Sequence, residues 1–159
     1  MMDALLFLLT LLAALGCGLI AGVFFAFSAF VMKGLGRLSA EQGVSAMQAI
    51  NVAAVTPLFM AALFGTAAVC GVLVVSGLLA WEERFAPYLL VGGGLYLLGT
   101  IGLTIAYHVP RNEALARVRP HDADDRWRRY LSSWTAANHV RAAASLAAAA
   151  TLTVALYVW

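Results

Sequence analysis

The 159 residues are 63% hydrophobic and only 11% charged, with a formal net charge of +2. Soluble domains carry nearer a quarter charged residues, so this composition excludes a soluble enzyme, a disordered chain and a nucleic-acid binder. The pI near 8.7 does not revive nucleic acid, because the cationic residues cluster in short segments between apolar runs, as membrane topology arranges them.

The first apolar run extends from about Ala4 to Met32. A bilayer-spanning helix needs about 20 apolar residues, and this run exceeds that. Met1, Met2 and Asp3 give it no basic leader, so it is expected to be a retained helix and not a signal peptide. Lys33 to Gly43 is a short polar connection. Val44–Val55 follows as a less hydrophobic helical segment at the interface, with a break expected before Pro57. The second span covers about 56–80 and the third about 86–107, joined by the tight turn Trp81-Glu82-Glu83-Arg84. Residues 108–133 form the main polar segment, punctuated by Pro110 and Pro120. Within it Asp122 to Asp125 look like the acidic first turn of a helix that runs directly into the fourth span, 136–159. Cys17 and Cys70 lie inside apolar runs without metal or redox spacing and are expected to pack as small residues. The predicted fold is therefore an all-α integral membrane four-helix bundle forming one domain over 1–159. It carries an interfacial helical segment before the second span and a helical extension into the fourth.

Arginine and lysine placement sets an expected orientation. Lys33 and Arg37 occupy the first loop; Arg111, Arg117, Arg119, Arg126, Arg128 and Arg129 occupy the third; the second loop has only Arg84. Loops one and three are then cytoplasmic and both termini face outward, in what is expected to be a bacterial inner membrane.

Polar side chains inside lipid face protein or a cavity, so their positions map the interior. Trp127, Tyr130, Trp134, Asn138, Arg141 and Ser145 recur at three- and four-residue spacing. At 100° per residue they share a stripe roughly 80° wide. Arg141 lies more than a turn into the apolar segment. It either snorkels to the headgroups or presents a cation to a cavity. Gln48 and Asn51, three residues apart, add polar groups from the interfacial segment. His108 closes the third span and His139 opens the fourth at the same membrane level. Two histidines there are a potential haem or metal pair, but two nitrogens are few ligands and no carboxylate lies within a span to complete the set. No metal or cofactor is therefore expected, with His108/His139 as the alternative. The expected pocket, near the cytoplasmic face, is lined by Gln48, Asn51, His108, Asn112, Trp134, Asn138 and Arg141.

The segment His108-Val-Pro-Arg-Asn112, then Trp127, Tyr130, Trp134-Thr135 and Asn138-His139-Val140-Arg141, resembles the anthrone oxygenase-like family of membrane proteins (DUF1772). Gly22-Val-Phe-Phe-Ala-Phe-Ser28 and Val31-Met32 are similar to that family's first helix, and Gln48 and Asn51 fit its second-helix pattern. His108 stands where the family commonly has Asn, and Lys33 where a proline often follows Val-Met. The resemblance implies oxidation of a lipophilic, anthrone-like aromatic by molecular oxygen without a cofactor. An anthrone CH₂ is acidic because its carbanion delocalises onto oxygen, so the protein must supply a base and a stabiliser of the oxyanion. His139 is the first expectation for the base, with His108 the second. Arg141, Asn138, Asn112 and the Trp134 indole are expected around the oxyanion, and Gln48, Asn51, Trp127 and Tyr130 around the rings. Two alternatives remain open: a small transporter, which lacks the usual intramembrane acidic residue, and a non-catalytic membrane subunit. The bilayer is the expected partner, and self-association is left open.

Overall fold

The computed structural model describes residues 2–118 and 123–158, with the side chains of Met2 and Asp3 left out of account. Met1, Arg119, Pro120 and Asp122, used above, and the last residue of the fourth span, Trp159, lie outside the described residues.

Five helical segments organise the described residues. Helix α1 runs as α-helix through Met2–Ala26, as a π-helical turn at Phe27–Val31, and as α-helix again at Met32–Leu35. Helix α2 covers Ala40–Ala53, starting four residues earlier than the hydropathy pattern suggests. Ser39 caps it: its hydroxyl accepts from the Gln42 backbone N–H, and the Gln42 side chain accepts from the Ser39 N–H. This reciprocal box satisfies donors that a helix start otherwise leaves orphaned. The chain then breaks at Val55–Thr56. Thr56 caps helix α3, Pro57–Leu79, whose first position is the proline that the sequence marked as a breaker. At that position the missing N–H costs nothing, because no intrahelical acceptor would be available.

Helix α4, Ala86–Ala116, differs from the expected third span. The helix does not stop at 107; it passes through Pro110 for two more turns. π-helical turns at Leu95–Gly102 and Thr104–His108 precede the proline. The wider π turn absorbs the ring and the lost hydrogen bond that would otherwise end the helix. Helix α5, Ala123–Tyr157, is a single helix of 35 residues with Asp124 and Asp125 in its first turn. At 1.5 Å per residue it is roughly 52 Å long, against a hydrocarbon core of about 30 Å. Its N-terminal turns must therefore stand outside the lipid.

Helices α1, α3, α4 and α5 are all long and apolar enough to span a membrane. Helix α1 packs on α5 and α3, and α4 on α3 and α5, closing a four-helix bundle. The expected α5 stripe faces inward: Trp127, Tyr130, Trp134, Asn138, Arg141 and Ser145 are all buried. Two cores result. The lower one, within the spans, includes Ile20, Leu63, Leu73, Leu89, Tyr96 and Leu152. The Gly92-Gly93 pair allows close packing here, since a Cβ on Gly92 would overlap the Leu152 side chain and one on Gly93 the Cys70 carbonyl. The upper core is aromatic and joins α2, the end of α4 and the start of α5 through Met47, Leu115, Trp127, Tyr130 and Trp134. Gly43 lets α2 approach, because a Cβ there would collide with the Trp127 indole.

Candidate active site

Arg141 is 5% exposed, on the bundle-facing side of α5. Burying a guanidinium costs several kcal/mol unless it is well partnered. One terminal nitrogen donates to Asn138 Oδ1 at 2.7 Å and the other to Thr104 Oγ1 at 3.1 Å. The group lies 4.0 Å over the Phe24 ring, a cation–π contact worth roughly 2 kcal/mol when desolvated. Its Nε–H has no partner. Among the described residues no carboxylate bonds to it. The site therefore holds a buried cation supported only by neutral groups.

Asn138 fixes that cation. Its amide nitrogen donates to the Phe24 carbonyl at 2.7 Å and the Ser28 hydroxyl at 2.8 Å, which leaves Oδ1 aimed at Arg141. This ties α5 to α1 and spends the amide donors expected to meet an oxyanion. Trp134 is spent likewise. Its indole N–H donates to Asn112 Oδ1 at 3.0 Å, and the Tyr130 hydroxyl donates to the same oxygen at 2.8 Å. Asn112 is thus the anchor that holds α4 to the aromatic face of α5.

His108 is 1% exposed and stands edge-on to the Trp134 ring, with centroids 5.1 Å apart. Its Nδ1 is 3.2 Å from the Leu103 carbonyl oxygen. A carbonyl only accepts, so Nδ1 is the donor, and in the neutral ring Nε2 is the basic nitrogen. Nε2 has no partner.

His108, Arg141, Asn51, Asn112 and Trp134 line one cavity of about 240 Å³ with Thr104, Phe24 and Met47. Three polar atoms of that lining are buried without a hydrogen bond of ordinary geometry among the described residues: Asn51 Nδ2, which lies toward the Tyr130 hydroxyl, His108 Nε2 and Arg141 Nε. Buried polar groups are nearly always satisfied, so three orphans at one cavity mark a place built to receive polar atoms. Two donors and one acceptor are available there.

Five expected residues stand elsewhere. Gln48 does not line the cavity; it donates to the Leu115 carbonyl at 2.8 Å and ties α2 to α4. Asn138 supports Arg141 from behind. Trp127 and Tyr130 stack on each other in the upper core, with centroids 5.8 Å apart. His139 is exposed and lines a different, wider groove of about 990 Å³ between α1 and α5, beside Lys33 and Thr135. His139, the first expectation for the base, is outside the cavity: it follows Asn138 by one residue and so points about 100° away from the buried stripe. For the same reason His108 and His139 do not converge as a ligand pair. The donor set also suits a metal poorly, because the one free imidazole nitrogen shares its cavity with a guanidinium.

Thr104 and Phe24 escaped the sequence reading, yet both hold Arg141. Thr104 carried a signal: Thr100, Thr104, His108 and Asn112 recur every four residues along α4. Thr100 and Ser145 bond to each other at 2.7 Å deeper in the same interface.

A family model for anthrone oxygenase matches residues 56–151, more than half of the chain. The chain belongs to the anthrone oxygenase family. The match takes in the cavity residues Thr104, His108, Asn112, Trp134 and Arg141 of this anthrone oxygenase family member, and begins after Asn51 and the whole of α1. No curated protein and no solved structure matches the chain.

Proposed function

We propose that this membrane protein oxidises a lipophilic, anthrone-type aromatic with molecular oxygen in the cavity shared by His108 and Arg141, without a resident cofactor. Family membership supports an oxygenase-like role. The observation that carries the finer reading is a buried guanidinium with only neutral partners, sharing a cavity with an imidazole whose Nε2 is free. A carbon acid needs that combination: a base for the C–H proton and a fixed cation for the oxygen that becomes negative.

His108 Nε2 takes a proton from the substrate CH₂. The negative charge moves to the carbonyl oxygen, where the Arg141 Nε–H and the Asn51 amide N–H stabilise it. Such donors act strongly in a water-poor site because they need no reorganisation. The carbanion gives electrons to O₂ and forms a C–O bond to it, and the His108 imidazolium returns a proton to the peroxide. Loss of the second hydrogen with cleavage of the O–O bond leaves a new carbonyl. The balance is CH₂ + O₂ → C=O + H₂O, with both hydrogens leaving as water and the substrate as the only reductant. Asn138, Thr104 and Asn112 position the groups that react.

Purified protein in lipid vesicles should consume one O₂ for each anthrone converted to anthraquinone, and should do so after exhaustive chelation. Loss of activity on chelation with recovery on adding a metal would overturn the cofactor-free step, and no uptake above the spontaneous rate would overturn the reaction.

The same reading places the cavity near the cytoplasmic face with both termini outside, supported by the arginine excess in the connections before α2 and before α5. A reporter fused after residue 159 should be active only in a non-cytoplasmic compartment. Cytoplasmic activity of that fusion would reverse the topology.

A further inference from the structure

Helices α3 and α4 leave the Trp81–Arg84 turn tightly packed, with Gly77 against Ala86 and Leu90, and Gly93 against Cys70 and Val74. Beyond the Tyr96 hydroxyl's hydrogen bond to the Leu63 carbonyl, the two helices pack less closely toward their other ends. The cavity occupies that divergence, and Val55, Phe59, Met60, Phe64 and Val109 line it there. Val55 is 70% exposed, Phe64 47% and Val109 42%. These side chains therefore line both the cavity and the outer surface, as the residues of a mouth do. Phe64 lies seven residues past Pro57, roughly 10 Å along the helix, so the mouth extends from the interface at Val55 into the depth of the hydrocarbon at Phe64. The polar end is closed: Met47 and Leu115 are buried above the cavity, and the Gln48–Leu115 bond ties α2 to α4 across it.

Size adds a second constraint. At roughly 30 Å³ per water, 240 Å³ is room for about eight waters, below the 300–1,000 Å³ usual for pockets that enclose a whole ligand. A larger molecule must leave part of itself in the mouth, among apolar side chains and lipid.

We infer that the substrate enters His108 and Arg141's cavity sideways from the bilayer between α3 and α4, as an aromatic amphiphile whose reacting ring goes in while its remaining rings or hydrocarbon tail stay in the lipid-facing mouth. This rests on the reading of the cavity as the substrate site. It makes Val55, Phe64 and Val109 the residues that set which substrates enter.

The test uses anthraquinone as a probe, since it quenches tryptophan fluorescence and Trp134 lines the cavity. In vesicles the wild-type protein should show saturable quenching that a Trp134→Phe variant loses. Its onset rate should follow the mole fraction of anthraquinone in the bilayer and not its aqueous concentration. Val55→Phe and Val109→Phe, which narrow the mouth, should slow the onset about tenfold. Leu98→Phe, on a lipid-exposed side of α4 away from the cavity, should leave it unchanged. Unaltered rates in both mouth variants, rates that follow the aqueous concentration, or no saturable quenching in the wild type would each overturn the lateral route. Saturable quenching with the expected mouth effects but no anthrone-dependent oxygen uptake would defeat the oxygenase reaction and leave the route standing.

Discussion

Arg141→Leu should lower kcat for anthrone-dependent oxygen uptake by about a hundredfold while changing KM much less. The guanidinium's partners are neutral, so its charge meets an opposite charge only when the substrate oxygen turns anionic. Loss of one such donor costs on the order of 3 kcal/mol in the transition state. The variant should still fold. Leucine is compatible with the neighbouring Phe24 ring, and replacing a buried charge by an apolar group is often neutral or stabilising. The local cost is Asn138 Oδ1 left without its donor, about 1–3 kcal/mol, which a melting curve in detergent would record separately. Arg141→Lys should recover only part of the rate, because a single ammonium cannot serve Asn138, Thr104 and the substrate as the planar fork does. Wild-type turnover in a folded Arg141→Leu protein would return Arg141 to a purely structural role.

His108→Asn should reduce turnover by a factor of about 10² to 10⁴, the usual worth of a positioned general base. Proton removal then limits the rate, so deuterium at the reacting CH₂ should slow the variant by a larger factor than the wild type. His139→Ala should have no effect on either quantity, since His139 lies in the outer groove beside Lys33. The two variants separate two assignments that the sequence left competing. A collapse of activity in His139→Ala with a tolerated His108→Asn would restore the outer histidine as base.

Much of the site was legible because a membrane makes polarity informative. Few polar side chains tolerate lipid, so the α5 stripe from Trp127 to Ser145 declared its inward face by spacing alone. His108, Asn112, Trp134, Arg141 and Asn51 were named from that logic and share one cavity in the structure. The same logic does not say which atoms are already occupied. Asn138 and Trp134 carry suitable donors, but those donors go to Phe24, Ser28 and Asn112. Their partners lie 114, 110 and 22 residues away, beyond any local pattern. For His139 both the membrane level and the 100° turn away from Asn138 follow from the sequence, but only the structure shows that this turn leaves it in the outer groove.

Composition and hydropathy by themselves determined the four spans, the interfacial helix before the second and the extension before the fourth, because lipid leaves a backbone few ways to satisfy its own hydrogen bonds. Local rules did not determine the end of α4. A proline reads as a stop, and only the π turn at Thr104–His108, packed against α5, shows how the helix continues to Ala116. That continuation carries Asn112 to Tyr130 and Trp134, and the π turn sets His108 Nδ1 on the Leu103 carbonyl with Nε2 left free. The tertiary structure alone decided these things because each depends on how two helices meet.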